Sequence, residues 1–271
     1  MYLFTNSLPS FPSPITLIGA GNLGYHLGRR LHATGAEIVQ VFSRQAAKAQ
    51  ELARATGAQP VSRLDEVKAG AGLYILAVSD SAIAPVATQL QQRLPAESAV
   101  VHTSGATPSA VLAPFFSRHG IFYPLQTFSR NREPDFSAIP ICIYSQNEGL
   151  EEQLTTLGRL ISQSVHRIDD EQRAILHVAA VFVNNFTNHL LHIGYEILKE
   201  EQLSFELLLP LIRETVDKIE TGHPRDMQTG PARRNDQETI NRHLAYLKKF
   251  PNFEAVYRAL TNSLQKTYER E

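Results

Sequence analysis

The chain has almost no sulfur chemistry to offer. Its 271 residues include a single cysteine, Cys142, which excludes an internal disulfide and any multi-cysteine metal site. Cys142 lies in the apolar run Ile139-Pro-Ile-Cys-Ile-Tyr144, where a buried strand thiol is expected rather than a nucleophile. An excess of either charge is also missing. The 26 Lys and Arg stand against 27 Asp and Glu, so there is no basic footprint for nucleic acid or for an anionic membrane surface. No apolar run reads as long enough to span a bilayer. Residues 1–14 contain neither Lys nor Arg and no continuous apolar core, and so lack the parts of a secretory signal. They read as a short lead-in, and a cytoplasmic protein is expected. The histidines have no His-x-x-Glu-His spacing, and no Gly-x-Ser-x-Gly elbow occurs, so neither a metal site nor a Ser-His-Asp hydrolase is expected.

What is present begins at Ile15. A short apolar run leads into Gly19-Ala-Gly-Asn-Leu-Gly24 and then into a helical pattern. Gly19 permits the tight strand-to-helix turn, and Gly21 allows phosphates close to the backbone. Gly24 lets the helix pack on the strand. Asn22 and Leu23 open that helix, whose free N–H groups and partial positive charge suit a pyrophosphate. Leu23, Leu27 and Leu31 recur at the spacing of one buried helix face. A dinucleotide site is expected here. The next strand, residues 37–42, is followed by Ser43-Arg44, where an NAD enzyme normally carries Asp or Glu. A hydroxyl and a guanidinium there suit a 2′-phosphate, so NADP is the expected cofactor.

From residue 15 to 168 strands and helices alternate. The strands are expected at 15–18, 37–42, 73–78, 99–102, 120–123 and 139–144, with helices at 46–56, 82–93 and 150–162. That order implies a doubly wound, Rossmann-like α/β sheet, mostly parallel. Ligands in such sheets bind beyond the carboxyl ends of the strands. Ala77, Val78 and Ser79, together with His102-Thr-Ser-Gly105, are therefore expected to line the cleft, with Thr103 toward the cofactor. After residue 168 only helical patterns remain, so residues 169–271 read as an all-helical second domain.

The first of these helices begins near Asp169 or Asp170 and runs to about residue 200. On a helical wheel Arg173, His177, Asn184, Asn188 and Tyr195 fall in a stripe of roughly 60°. Most of the remaining circumference is apolar, with few later helices available to cover it. Burial against a second copy of the chain, a homodimer, is expected. The polar stripe is either a hydrogen-bonded seam or a face turned to the cleft.

The glycine loop, Ala77-Val-Ser-Asp80, His102-Thr-Ser-Gly105, Phe122-Tyr-Pro-Leu-Gln-Thr-Phe128 and Gln228-Thr-Gly-Pro-Ala-Arg-Arg-Asn-Asp236 resemble an NADP oxidoreductase family. Its members join a Rossmann-like N-terminal domain to a helical C-terminal domain of unknown function. More distantly the layout is similar to pyrroline-5-carboxylate reductase and to the 6-phosphogluconate and 3-hydroxyacid dehydrogenases. The resemblance implies a 6-phosphogluconate-dehydrogenase-like helical domain, a nicotinamide held between the domains and dimerisation through the helical one. One departure matters. The 3-hydroxyacid dehydrogenases carry a lysine four residues before an asparagine on the long helix, whereas this helix has no lysine before Lys199.

Hydride transfer leaves the protein one proton to handle. His102 and His177 are the acid/base candidates. Ser104 is a candidate for binding a substrate carbonyl or carboxylate, or for capping the turn after it. Asn184 and Asn188 are candidates for orienting a polar substrate, and Arg233 for holding an anionic one. The expected function is NADP-dependent reduction of a small carbonyl or imine; the alternative is a non-catalytic NADP(H)-binding sensor or regulator.

Overall fold

A computed structural model describes residues 13–268; most of the N-terminal lead-in, residues 1–12, lies outside them. Its contacts divide the chain into two compact units, residues 1–181 and 182–271. The first holds an eight-stranded sheet. The elements in chain order are β1 Ile15–Ile18, α1 Asn22–Ala33, β2 Ile38–Phe42, α2 Ala46–Thr56, β3 Gln59–Val61, β4 Leu73–Leu76, α3 Asp80–Leu90, β5 Ala99–His102, β6 Arg118–Pro124, β7 Ile141–Ser145, α4 Glu148–Ile161 and β8 Val165–Arg167. The spatial order is β3-β2-β1-β4-β5-β6-β7-β8. Every neighbouring pair is parallel except β6 and β7. Strands β3 and β8 are additions to the expected set; each has three residues, too short to show a period.

Alternation along each strand builds two cores, one on each face of the sheet. Leu73 and Ile75 of β4 join Leu17, Leu27 and Leu31 on one side, while Tyr74 and Leu76 join Ile18, Ile83 and Leu90 on the other. A helix stripe such as Leu27 and Leu31 therefore has an apolar sheet face to cover, and each leucine so buried contributes about 1.5–3 kcal/mol. The parallel register brings Ile18, Leu76, His102 and Ile121 level with one another. The residues that follow them form the carboxyl edge where a ligand can bind.

The long helix starts as α5, Asp170–Ala180. Asp169 caps it by accepting from the Gln172 backbone N–H at 2.8 Å. Residues 170–181 belong to the first unit, so the boundary falls inside the helix and not at 168/169. Side-chain bonds to the sheet's own loops decide this, as described below. A π-helical segment, Val181–Phe186, follows, and then α6, Thr187–Glu200. The π turn is wider than an α turn, so the 3.6-residue projection breaks there. The expected stripe consequently does not run straight from Arg173 to Tyr195.

The second unit continues with α7 Leu209–Thr221, α8 Gln237–Leu247 and α9 Pro251–Tyr268. Within it, Glu201 pairs with Lys249 and accepts from the Tyr246 hydroxyl. No residue of α6 or α7 is buried. By length and composition alone, the helix Asp170–Glu200 is also long and apolar enough to cross a membrane, contrary to the reading of the sequence. Its first turns are nevertheless tied into the sheet unit.

Candidate functional site

The turn after β1 does what its glycines were expected to do. Gly19 sits at φ +118°, and a Cβ on it would lie 2.2 Å from the Ala77 carbonyl oxygen. A Cβ on Gly24 would lie 2.1 Å from the Gly19 carbonyl oxygen. The two positions thus lock strand, turn and helix together. Gly21 is different, because a Cβ there would meet nothing within 4 Å. It faces open space at the start of α1. That helix has no side-chain cap and no acidic residue in its first turn, which leaves its leading N–H groups and positive end for an anion.

A cleft of about 970 Å³ opens from this turn. Of the expected cofactor residues, Gly19, Gly21, Ser43, Arg44, Ala77, Val78 and Ser79 line it. Asn22, Leu23, Gly24 and Thr103 do not. Asn22 donates through Nδ2 to the Phe128 carbonyl at 3.0 Å, and Leu23 packs on the core. Thr103 holds strand ends together, its backbone N–H donating to the Leu76 carbonyl at 3.2 Å. Lys48, Ser62 and Arg63 also line the cleft and were not anticipated. Lys48 stands one helical turn beyond Arg44, a spacing that was readable. Arg63 reaches the cleft only because β3 pairs beside β2. Its charge is already met by Asp65, whereas Arg44 and Lys48 are exposed and make no ion pair among the described residues. An open glycine cradle, an uncapped helix and two uncompensated cations fit a 2′-phosphorylated dinucleotide.

Next along the carboxyl edge, the loop after β5 departs from expectation. His102 is fully buried. Its Nδ1 accepts from the Ser104 backbone N–H at 3.2 Å, and Nε2 faces the Pro108 carbonyl at 3.3 Å. Burial pushes its pKa down to about 4, with the Pro108 bond partly opposing. The ring is therefore neutral near pH 7 with both nitrogens engaged, which corrects its placement as an acid/base. For Ser104 the capping reading holds. Its Oγ accepts from the Thr107 and Ala106 N–H groups at 2.9 and 3.2 Å and donates to Thr107 Oγ1 at 3.0 Å. The hydroxyl closes its own loop.

Helix α5 seals that loop from the other side. Asp170 accepts from Ser109 N and Oγ, and Arg173 donates to the Thr107 carbonyl. Arg173 is 1% exposed, its Nη2 lies 2.8 Å from Asp170 Oδ1, and its Nε and Nη1 have no partner. Burial alone would raise the Asp170 carboxyl, but the bonds from Ser109 and Arg173 together hold it below the usual range. One turn on, His177 Nδ1 is buried without a partner. Asn184, on the π segment, and Asn188, on α6, are exposed residues of the second unit. Arg233 belongs to that unit too, its guanidinium 4.3 Å from the Tyr268 ring centroid.

A doubly wound sheet with an open glycine cradle at its carboxyl edge, joined to a helical unit, defines a dinucleotide-binding protein of the dehydrogenase type. A domain described as "NADP oxidoreductase coenzyme F420-dependent" matches residues 14–105, and a domain of unknown function, DUF2520, matches residues 139–264. A Bacteroides fragilis protein described as a "putative NADP oxidoreductase" is similar at 40% identity and a TM-score of 0.90, over 94% of this chain and 99% of its own. The chain belongs to this NADP oxidoreductase family, and NADP is its cofactor. An imine reductase from Myxococcus stipitatus, in complex with NADP+, shares the fold at 15% identity and a TM-score of 0.65, over 95% of this chain and 93% of its own. The shikimate dehydrogenase (NADP(+)) of Sinorhizobium fredii is 39% identical over 67 residues, 23% of each chain. The chain therefore matches about a quarter of that curated relative, too little to carry its activity across.

Proposed function

We propose that the protein is a cytoplasmic NADPH-dependent reductase of a small C=N or C=O substrate, working as a homodimer. The observation that carries the cofactor half is the cleft from Gly21 to Arg44 and Lys48, which has cations where a 2′-phosphate would sit. The imine reductase with the same fold supports the substrate class. The bound nicotinamide supplies a hydride; the residues of this chain hold it, exclude water and manage one proton. Asn184 and Asn188 are carried forward as residues that would orient a polar substrate, and Arg233 as one that would hold an anionic substrate. The homodimer reading rests on apolar residues that the second unit does not cover, among them Val183 at 75% and Leu207 at 68% exposure.

A second reading, a non-catalytic NADP(H) sensor, is favoured by the occupied polar atoms of His102 and Ser104 and by the absence of a lysine on α5. The test is NADPH oxidation across keto acids, aldehydes and cyclic imines. Turnover on any class supports the reductase. Tight NADPH binding with no turnover on any of them replaces it with the sensor.

A further inference from the structure

Tyr123 and His177 converge on Gly105. A Cβ built on Gly105 would lie 2.6 Å from His177 Nδ1 and 2.9 Å from both Cζ and Oη of Tyr123. Three elements of the first unit meet here: the loop after β5, the carboxyl end of β6 and the second turn of α5. His177 Nδ1 is buried and unpartnered. The Tyr123 hydroxyl makes no hydrogen bond among the described residues. Tyrosine hydroxyls in protein interiors usually find a partner, and a buried polar atom left unmade costs free energy. The buried His177 nitrogen, with the unbonded hydroxyl of the half-buried Tyr123 beside it, marks a place for a third polar atom.

The position along the sheet says which atom that is. The 2′-phosphate end of a dinucleotide belongs at Arg44, beyond β2, and the pyrophosphate belongs at Gly21, beyond β1. The reactive end of an extended dinucleotide then falls on the other side of β1, beyond β4, β5 and β6. Tyr123 lies two residues past Ile121, which is level with His102, so it stands out at that edge. Among the other polar side chains of this edge, the candidates His102 and Ser104 are spent on the loop. Cys142, opposite Tyr123 across β6 and β7, has its thiol pushed up to about 11 by burial and holds its proton. Arg173 and Asp80 are the charged groups whose fields reach Tyr123. Burial raises the tyrosine hydroxyl and Arg173 opposes it, so the side chain is protonated near neutral pH.

Resting on the reductase reading, we propose that Tyr123 donates the proton in this reaction and that His177 replenishes it. As the substrate carbon accepts a hydride, the C=N or C=O π bond breaks toward the heteroatom. The heteroatom takes the Tyr123 Oη proton, leaving tyrosinate. His177 then protonates the tyrosinate and recovers its own proton from solvent, so charge and protons balance over the cycle. Gly105 is required because any side chain there would wedge the two apart.

The test uses Tyr123→Phe on the most active compound of the substrate panel. A general acid contributes about 100-fold or more, so kcat should fall by about that factor while the NADPH Kd, read by fluorescence, stays unchanged. Gly105→Ala should lower kcat in the same way. A second readout needs no turnover: ultraviolet difference titration of the cofactor-free protein, with Tyr123→Phe identifying the Tyr123 signal. His177→Gln should move that tyrosine's midpoint. If Tyr123→Phe keeps most of the wild-type kcat, or His177→Gln leaves the titration in place, the pair is overturned and the reductase stands. If the wild-type protein turns over nothing in the panel, the reductase reading falls and takes the pair with it.

Discussion

Arg173 and Asp170, one turn apart on α5, bind the same loop from below and neutralise each other in doing so. Nη2 of Arg173 lies 2.8 Å from Asp170 Oδ1, while Arg173 also serves the Thr107 carbonyl and Asp170 serves Ser109. A guanidinium this deeply buried depends on its carboxylate. Asp170→Asn would leave it uncompensated, and stability at neutral pH should drop by about 3 kcal/mol. Chemical denaturation measures this; an unshifted midpoint would show that the pair does not hold the loop.

Acid should loosen the same region by two routes. His102 has a folded pKa of about 4 against an ordinary value near 6.5. The unfolded chain therefore binds a proton that the folded one refuses, and stability falls as pH drops from about 6.5 toward 4. Asp170 has a lowered folded pKa, so its contribution is also lost on acidification, at lower pH. Between pH 7.5 and 5 the His102 contribution alone amounts to roughly 2 kcal/mol. Replacing His102 by Gln should flatten the pH dependence of unfolding over that interval.

Reversing charge beyond β2 should separate the two nicotinamide cofactors. Arg44→Glu and Lys48→Glu each remove a charge-assisted bond to a 2′-phosphate, worth about 1.5–3 kcal/mol. The NADPH Kd should rise about 10- to 100-fold, with NADH affected little. Equal losses of both in calorimetry would show that these residues do not read the phosphate.

The glycines should separate folding from binding. Gly19→Ala drives a Cβ into the Ala77 carbonyl at a positive φ, and the strained conformation itself costs about 1–3 kcal/mol. Thermal unfolding should report it. Gly21→Ala meets open space and should leave the melting temperature alone while weakening NADPH. A Gly21→Ala protein that binds NADPH normally would remove the cradle argument.

The uncovered helices of the second unit predict a homodimer. Light scattering should give twice the chain mass of 30.2 kDa, and Val183→Asp should shift the equilibrium toward monomer. A wild-type monomer at micromolar concentration would end this reading.

Much of the sheet unit was legible because its signals are local. Apolar runs, the glycine turn and Ser43-Arg44 need only a few neighbouring residues to be interpreted. What escaped was set by distant partners. The short strands β3 and β8 exist because a sheet edge is available to pair with. The first turns of the long helix joined the sheet unit because Asp170 and Arg173 found the 107–109 loop. The cap of α8 was settled the same way: Asp236, not its neighbour Asn235, accepts from the Thr239 backbone N–H at 3.0 Å.

By itself the sequence determined the dinucleotide fold, the cofactor and the division into sheet and helices. Those follow from residue periodicity and from chemistry confined to short segments. Only the tertiary structure decided which polar residues are free to act. His102 and Ser104 looked available at a strand end, but loop closure uses their hydrogen-bonding atoms. Tyr123, inconspicuous within its motif, meets His177 over a glycine that leaves room for both.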